Sequence, residues 1–378
     1  MPNIKRMMMA ASAGGASGAG AWMWGQGSGY NLGNNNTSDV SSPSQFGGDA
    51  SPLTGVTFVM KGGSSGGVLR EDELWMWGNN NFGQCGDGTT TSASLPVQIP
   101  GSWISVANLG TTSIGIKTGG TLWSWGRGEN YGANGRNTNT ACSSPIQIGS
   151  LTTWTECFGG SGTGFATKSD GTCWAWGNGG SGRLGLGSTA HVSSPVQLGS
   201  LTDWNNLRDT HQNNAQVIVI KSNGTMWAWG NNGNGQLGIG VTGNKSSPVQ
   251  IGSSTYWTAC AMQGVAGHAV GDSGKLWAWG YGGQGRLGLG STTNYSSPVQ
   301  IGSLTDWDQV TGHGSEGAAA TRTNGTIWVW GAAGNGQHGN GTTNATSSPV
   351  QVGSPAESDW DSTLLSYVGN SYLAVKEE

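Results

Sequence analysis

Three short apolar stretches recur in one order along this chain, and a single passage shows them together. LTDWDQV (Leu304–Val310) alternates apolar and polar positions as a short strand does. AAATRTNGT (Ala318–Thr326) is a second strand that ends in Asn-Gly, a strong hairpin signal. IWVWG (Ile327–Gly331) is a third. Side chains in a strand alternate between faces, so Trp328 and Trp330 point the same way. Two large rings on one face suit packing between neighbouring sheets. A Gly/Asn loop follows, and then Ser-Ser-Pro-Val-Gln, a fourth strand or extended edge.

The pattern repeats. Trp-x-Trp-Gly begins at Trp22, Trp75, Trp123, Trp174, Trp227, Trp277 and Trp328, with spacings of 53, 48, 51, 53, 50 and 51 residues. A proline follows each pair, at Pro43, Pro96, Pro145, Pro195, Pro248, Pro298 and Pro349, 19 residues after the second Trp in six copies and 20 in one. A lone Trp marks the first strand at Trp103, Trp154, Trp204, Trp257, Trp307 and Trp360. Fourteen paired and six lone residues account for all 20 tryptophans, so none is left over for a special site. Four short strands in each unit of about 50 residues, seven times over, predict an all-β fold, a seven-bladed β-propeller.

The two ends are complementary. SDWDSTLLSYVGNSYLAVKEE (residues 358–378) reads as the first two strands of a unit and stops before any Trp pair, while AWMWG (Ala21–Gly25) enters at the third strand. Pairing them in one shared blade closes the ring and removes the exposed edges of an open solenoid, the competing architecture. The expected organisation is an N-terminal arm over residues 1–20 and one propeller domain over 21–378. Composition agrees with many strands joined by tight turns. The chain is 34% hydrophobic and 10% charged, with 71 glycines and a net charge of −4. Disorder from low hydrophobicity comes with high net charge and few aromatics, and neither holds here.

The recurring frame resembles the regulator of chromosome condensation repeat family. Its copies include MWAWGNNGNGQLGIG (Met226–Gly240) with SSPVQIG (Ser246–Gly252), and IWVWGAAGNGQHGNG (Ile327–Gly341). The resemblance spans about residues 21–378, is similar in style to a bacterial or phage member, and implies a seven-bladed propeller. It implies much less about function, because propellers host many roles. The family's branches include a nucleotide exchange factor for a small GTPase on chromatin, ubiquitin-ligase domains and a β-lactamase inhibitor. No catalytic residue carries over. Several units lack the histidine usual in the family's second strand; His268 stands near that place in one unit and Phe165 in another.

The chemistry-bearing residues yield to the same arithmetic. GNGGSGRLGLG (Gly177–Gly187) has phosphate-loop-like glycine spacing, but no Gly-Lys-Ser/Thr follows and the loop occurs in every unit. The long polar residues Gln84, Arg183, Gln236, Arg286 and Gln337 are expected to satisfy loop backbone groups. Cys85, Cys157, Cys173 and Cys260 stand where other units place apolar residues, and Cys142 stands where another has Tyr295. No Cys-x-x-Cys or His pair at metal spacing is present, so neither a metal, a cofactor nor a disulfide framework is expected. Asp203, Asp306 and Asp359 recur before the lone Trp as strand-start residues, and no nucleophile elbow occurs. With 16 Lys and Arg scattered along a chain of pI near 5.7, the basic stripe of a nucleic-acid binder is missing. Neither an enzyme nor a small-molecule site is expected.

Departures from the repeat are the better guides to function, since binding concentrates in loops on rigid scaffolds. From Trp204 to Trp227 the chain runs 23 residues instead of 20 or 21, through RDTHQNN (Arg208–Asn214). KGGSSGGVLREDE (Lys61–Glu73) also breaks the frame, with Val56 in place of the lone Trp. Candidate partner-binding residues are therefore Arg208, Asp209, His211 and Gln212, with Arg70, Glu71 and Asp72. Lys5 and Arg6 precede a short apolar run that imitates a secretory signal but is too short for one, and no segment is long enough to span a membrane. Met7, Met8 and Met9 offer an adaptable apolar contact for a partner or a neighbouring subunit. The expectation is a non-enzymatic interaction or structural propeller, as a phage virion or attachment protein held by its arm, located in a virion or the cytoplasm rather than secreted. A soluble regulatory or inhibitory module is the alternative.

Overall fold

In a computed structural model of the protein, the described residues are 20–45, 56–59, 65–128, 131–204, 215–271, 273–313, 317–334, 337–353, 360–368 and 371–376. They form strands β1 (Gly20–Gly25), β2 (Val40–Gln45), β3 (Val56–Val59), β4 (Ser65–Arg70), β5 (Glu73–Gly78), β6 (Ala93–Asn108), β7 (Thr112–Lys117), β8 (Thr121–Gly126) and β9 (Cys142–Gln147). Next come β10 (Trp154–Gly160), β11 (Thr163–Lys168), β12 (Cys173–Gly177), β13 (Val192–Gln197), β14 (Gln216–Ile220), β15 (Met226–Gly230) and β16 (Lys245–Gln250). The last are β17 (Trp257–Gln263), β18 (Ala266–Gly271), β19 (Lys275–Gly280), β20 (Tyr295–Gln300), β21 (Trp307–His313), β22 (Gly317–Arg322), β23 (Ile327–Gly331), β24 (Thr346–Gln351), β25 (Trp360–Val368) and β26 (Ser371–Lys376). The fold is an all-β propeller. Each Trp pair lies on its own strand, and the Ser-Ser-Pro segments are strands rather than loose edges.

The sheets correct the expectation of seven separate blades. Hydrogen bonding joins the described strands into five discrete sheets of three or four strands and one continuous sheet of seven, β3 to β9. The cause is β6. From the repeat proline to the lone Trp is nine residues in four units (Pro145 to Trp154, Pro195 to Trp204, Pro248 to Trp257, Pro298 to Trp307) and eleven from Pro349 to Trp360, but seven from Pro96 to Trp103. The shortened connection leaves no room for a loop. β6 therefore pairs with β5 up to Ser102 and with β7 from Trp103 onward.

Closure follows the complementary ends. β1 pairs antiparallel with β26 from Gly20↔Lys376 to Gly25↔Ser371, giving the sheet order β2-β1-β26-β25. The core is not central; it is divided into layers between successive sheets. Trp174 and Trp176 of β12 pack on Ile114, Ile116 and Leu122 of the preceding unit, and Trp277 and Trp279 of β19 pack on Ile218, Met226 and Ala228. Trp24 packs on Ala319, Ile327, Val329 and Val352, which joins the last unit to the first. Both rings of a pair thus face the neighbouring sheet. The second ring is wholly buried and the first is half-buried at the rim.

Candidate functional site

The antiparallel strand order sends the connections to two opposite faces. On one lie the glycine loops after each Trp pair and the hairpins between the first and second strands. Backbone bonds tie these together: Arg127 N–H donates to Thr111 O (2.8 Å), Asn178 to Gly162 (2.9 Å) and Tyr281 to Val265 (2.9 Å). On the other, the turn face, the lone Trp N–H of one unit donates to the hairpin turn of the unit before: Trp103 to Asp72 O (2.8 Å), Trp154 to Gly120 (3.1 Å) and Trp307 to Gly274 (3.0 Å).

The glycine loops are joints before they are sites. The second indole of each pair donates to a loop carbonyl of the preceding unit: Trp24 to Gln337, Trp77 to Asn31, Trp125 to Gln84, Trp176 to Ala133, Trp229 to Arg183, Trp279 to Gln236 and Trp330 to Arg286, at 2.9–3.2 Å. A glycine beside the acceptor makes that approach possible. Gly86 has φ +83°, and a Cβ there would lie 2.7 Å from Trp125 Nε1. The long polar side chains do what the repeat predicts. Gln84 Oε1 accepts from Phe82 N–H (2.9 Å) and Gln236 Oε1 from Asn234 N–H (2.8 Å), while Arg183 and Arg286 donate Nε–H to Gly180 O (3.0 Å) and Gly283 O (2.9 Å).

Two adjacent seams on this face carry more than the joint needs. Arg127 lies 4.8 Å above the ring of Phe82, which belongs to the preceding unit and is 38% exposed. Tyr131, 52% exposed, stacks on His191 of the next unit at 4.4 Å. Where Asp39, Asn244 and Asn294 accept a loop N–H in other units, His191 Nδ1 accepts from Gly179 N–H at 3.1 Å. Around the described part of the face stand Arg127, Arg136, Arg183, Lys245 and Arg286 against Asp39 and Asp87, an excess of three positive charges (5 − 2). An acidic surface therefore suits this face better than a basic one.

Arg70, Glu71 and Asp72 stand on the opposite, turn face. Arg70 bonds Glu73 at 2.5 Å and sits 5.4 Å over Trp75; Glu71 takes the turn at φ +57°; and Asp72 gives its carbonyl to Trp103. The side chains of Glu71 and Asp72 are exposed there. Arg208, Asp209, His211 and Gln212, like Met7, Met8 and Met9, lie outside the described residues. The chain enters β14 at Gln216, opposite Gly230, on the glycine-loop face. Sequence reasoning passed over Phe82, Arg127, Tyr131 and His191. Their signal was present: aromatic residues at 82 and 131, a loop position where other units carry Gly, Ser, Asn or Gln, and one extra residue in the loop that holds Tyr131.

Cys85, Cys157, Cys173 and Cys260 are buried core residues, and Cys142 is half-buried with Arg136 Nη2 at 3.2 Å. Burial pushes the Cys85 and Cys157 thiols up to about 12, which keeps them protonated and inert. Among the described residues, no group of three His, Cys, Asp or Glu side chains is placed to hold a metal ion.

Four stretches, residues 71–108, 170–205, 223–264 and 273–316, match the family model for the regulator of chromosome condensation (RCC1) repeat. Human E3 ubiquitin-protein ligase HERC2 is 30% identical over 181 residues, covering 44% of this chain and 4% of that protein. The probable human ligase HERC4 is 30% identical over 197 residues, 50% of this chain and 18% of that protein. The chain thus spans a small part of these relatives. Among solved structures, human WBSCR16 superposes with a TM-score of 0.82 at 17% identity over 96% of this chain and 99% of that one. Prp20p of Saccharomyces cerevisiae, described by its binding to Gsp1p and histones, superposes with a TM-score of 0.81 at 18% identity over 95% and 92%. At such identities the likeness shows the fold alone. These comparisons give the virion and bacteriophage expectation no support.

Proposed function

We propose that this chain, which carries regulator of chromosome condensation repeats, is a non-enzymatic, seven-bladed propeller that binds an acidic protein surface on its glycine-loop face. The blade count reads the seven-stranded sheet as two blades sharing β6, in keeping with seven Trp pairs and seven indole-to-carbonyl joints. The observation that carries the function is the exposed Phe82–Arg127 and Tyr131–His191 pairing at neighbouring seams. Exposed aromatic and arginine side chains on a rigid frame are what interface hot spots are made of. Arg208–Gln212, which precede β14 in the sequence, belong to the same proposal as flanking contacts, and Met7–Met9 as a separate tether. Its role is that of a regulatory binding module rather than of a catalyst.

The test is capture of partners by the wild-type chain and by a Phe82→Ser/Tyr131→Ser variant, with a Glu71→Ala/Asp72→Ala variant as the turn-face control. A partner held by the wild type and the control, lost about tenfold or more with the first variant, and weakened by salt is the expected result. Equal retention by all three moves the function off this face.

A further inference from the structure

The turn face carries its own repeated device. Among the described residues, a cation caps tryptophan rings there in five units. Lys117 Nζ lies 4.9 and 4.0 Å from the ring centroids of Trp103 and Trp123, Lys168 Nζ 4.9 and 3.7 Å from Trp154 and Trp174, and Lys221 Nζ 4.3 and 4.5 Å from Trp204 and Trp227. Arg322 lies 5.8 Å over Trp328 and Arg70 5.4 Å over Trp75. Two of the cations have a carboxylate just before the lone Trp: Lys221–Asp203 at 2.9 Å and Arg322–Asp306 at 2.5 Å. The first indole of the pair donates to the residue two before it, at 2.8–2.9 Å to Thr121, Thr172, Thr225 and Thr326, and at 3.3 Å to Glu73.

The unit of β17–β20 departs from this device at every polar position and keeps its rings. Gly271 pairs with Trp257 in the ladder as Lys117 does with Trp103, so a glycine stands where the cation arises. Tyr256 takes the place of Asp203 and Asp306, and Lys275 that of the threonines. The Trp277 indole N–H, which would have bonded that threonine, has no hydrogen-bond partner among the described residues. Yet Trp257 and Trp277 meet at 6.1 Å and 78°, matching Trp154 and Trp174 (6.0 Å, 79°) and Trp307 and Trp328 (6.2 Å, 79°). Tyr256 adds a third ring, 5.5 Å from Trp257 and 42% exposed.

We propose that Tyr256, Trp257 and Trp277 form an aromatic site for an alkylammonium group brought by another molecule, a lysine side chain of a partner protein. The negative ring faces attract a cation, and the neighbouring units show that a lysine ammonium fits this pair of indoles. Replacing the anion by an aromatic ring, together with loss of the internal lysine, turns an internal clamp into a receptor. This site lies opposite the Phe82–Tyr131 patch and stands independently of the function proposed for it.

Indole N–H signals of the intact chain, followed by NMR during titration with n-butylammonium chloride against sodium chloride at equal ionic strength, test the site. A saturable shift of the Trp257 and Trp277 signals is expected. Tyr256→Ala should weaken binding about threefold or more, and Gly271→Lys, which supplies an internal cation, should abolish it. A Cβ at 271 would lie 2.9 Å from Trp257 Cε3, so folding of that variant is checked by its melting curve, and Tyr256→Ala decides if it fails. A lysine peptide blocked at both ends should bind more tightly than butylammonium; equal affinities would overturn the assignment to a protein lysine. No saturable shift, or shifts unchanged in Tyr256→Ala, would overturn the site itself. Binding that appears only in Lys275→Thr would show that Lys275 fills the rings, and would overturn it too.

Discussion

The second tryptophan of each pair serves two purposes, apolar filling between sheets and a directed bond into the preceding unit. Trp125→Phe keeps a six-membered ring in the layer, removes the pyrrole part of the indole, and leaves Gln84 O, now bonded to Trp125 at 2.9 Å, with one acceptor position fewer in use. Ser113 Oγ–H still donates to that carbonyl at 2.7 Å, so the lost bond and the small gap together should cost about 2 kcal/mol by urea unfolding. A loss of 3 kcal/mol or more, in the range of roughly 3–5 kcal/mol for removing a whole aromatic side chain, would mean that packing as well as the bond had failed. His338 makes the opposite case, a buried residue that fits its slot poorly. Other units place Leu184, Leu237 and Leu287 there. Burial pushes the His338 imidazole down to about 4, against a smaller upward pull from the Gly331 and Asn344 backbones, and neither nitrogen has a partner at full hydrogen-bonding geometry among the described residues. His268, buried beside Trp330, is pushed down to about 3. Both are held neutral in the fold and take up a proton more readily when unfolded. Their contribution to stability is therefore whole above about pH 6.5 and is lost as pH falls towards 4 and then 3. His338→Leu should raise stability at pH 7 by about 1 kcal/mol and, by removing one titrating group, by on the order of 2–3 kcal/mol more at pH 4. Melting curves across that range check it; equal gains at both pH values would show that His338 does not titrate with unfolding.

At the scale of the element, legibility followed the period. Strands carrying Trp-x-Trp-Gly and Ser-Ser-Pro-Val-Gln could be placed because each repeats at nearly fixed spacing, and a copy is tested by its six counterparts. The polar role of Gln84 and Arg183 was readable for the same reason. The fusion at β6 was not. Its cause, the two residues missing between Pro96 and Trp103, is visible in the chain, but whether a shortened connection bends or runs straight is decided by hydrogen bonds to both neighbours. The exposed aromatic patch was missed on similar grounds. Phe82 and Arg127 belong to different units, and only the seam between sheets brings them to 4.8 Å. The clamps lie between these cases. Lys117, Lys168, Lys221 and Arg322 each stand six residues before the first Trp of a pair, and Gly271 breaks that series in plain view. That the series is a cation over rings emerges only when the lone Trp folds against the pair.

At the scale of the whole molecule, stability rests on neighbours around a loop rather than on a central core. Each interlayer cluster is shared by two consecutive sheets, so an open array would leave one apolar face and two strand edges exposed. The closing contacts are specific. β26 supplies six residue pairs to β1 and also holds β25, while Trp24 packs on the last unit and bonds Gln337 O at 3.2 Å. Deleting residues 371–376 removes the ladder but leaves the Trp24 layer in place, which isolates strand closure from apolar closure. If the ring acts as one cooperative body, that deletion should lower the melting temperature by more than about 10 °C, broaden the transition and expose an edge that drives concentration-dependent association. Deleting residues 1–19, which adjoin β1 without belonging to it, is the control and should leave the transition where it was. A synthetic peptide of residues 371–376 added in excess to the truncated chain should restore the sharp transition by re-forming β26 between β1 and β25. If the truncated chain melts as sharply and as high as the intact one, the Trp24 layer alone closes the ring and the shared sheet is dispensable to it.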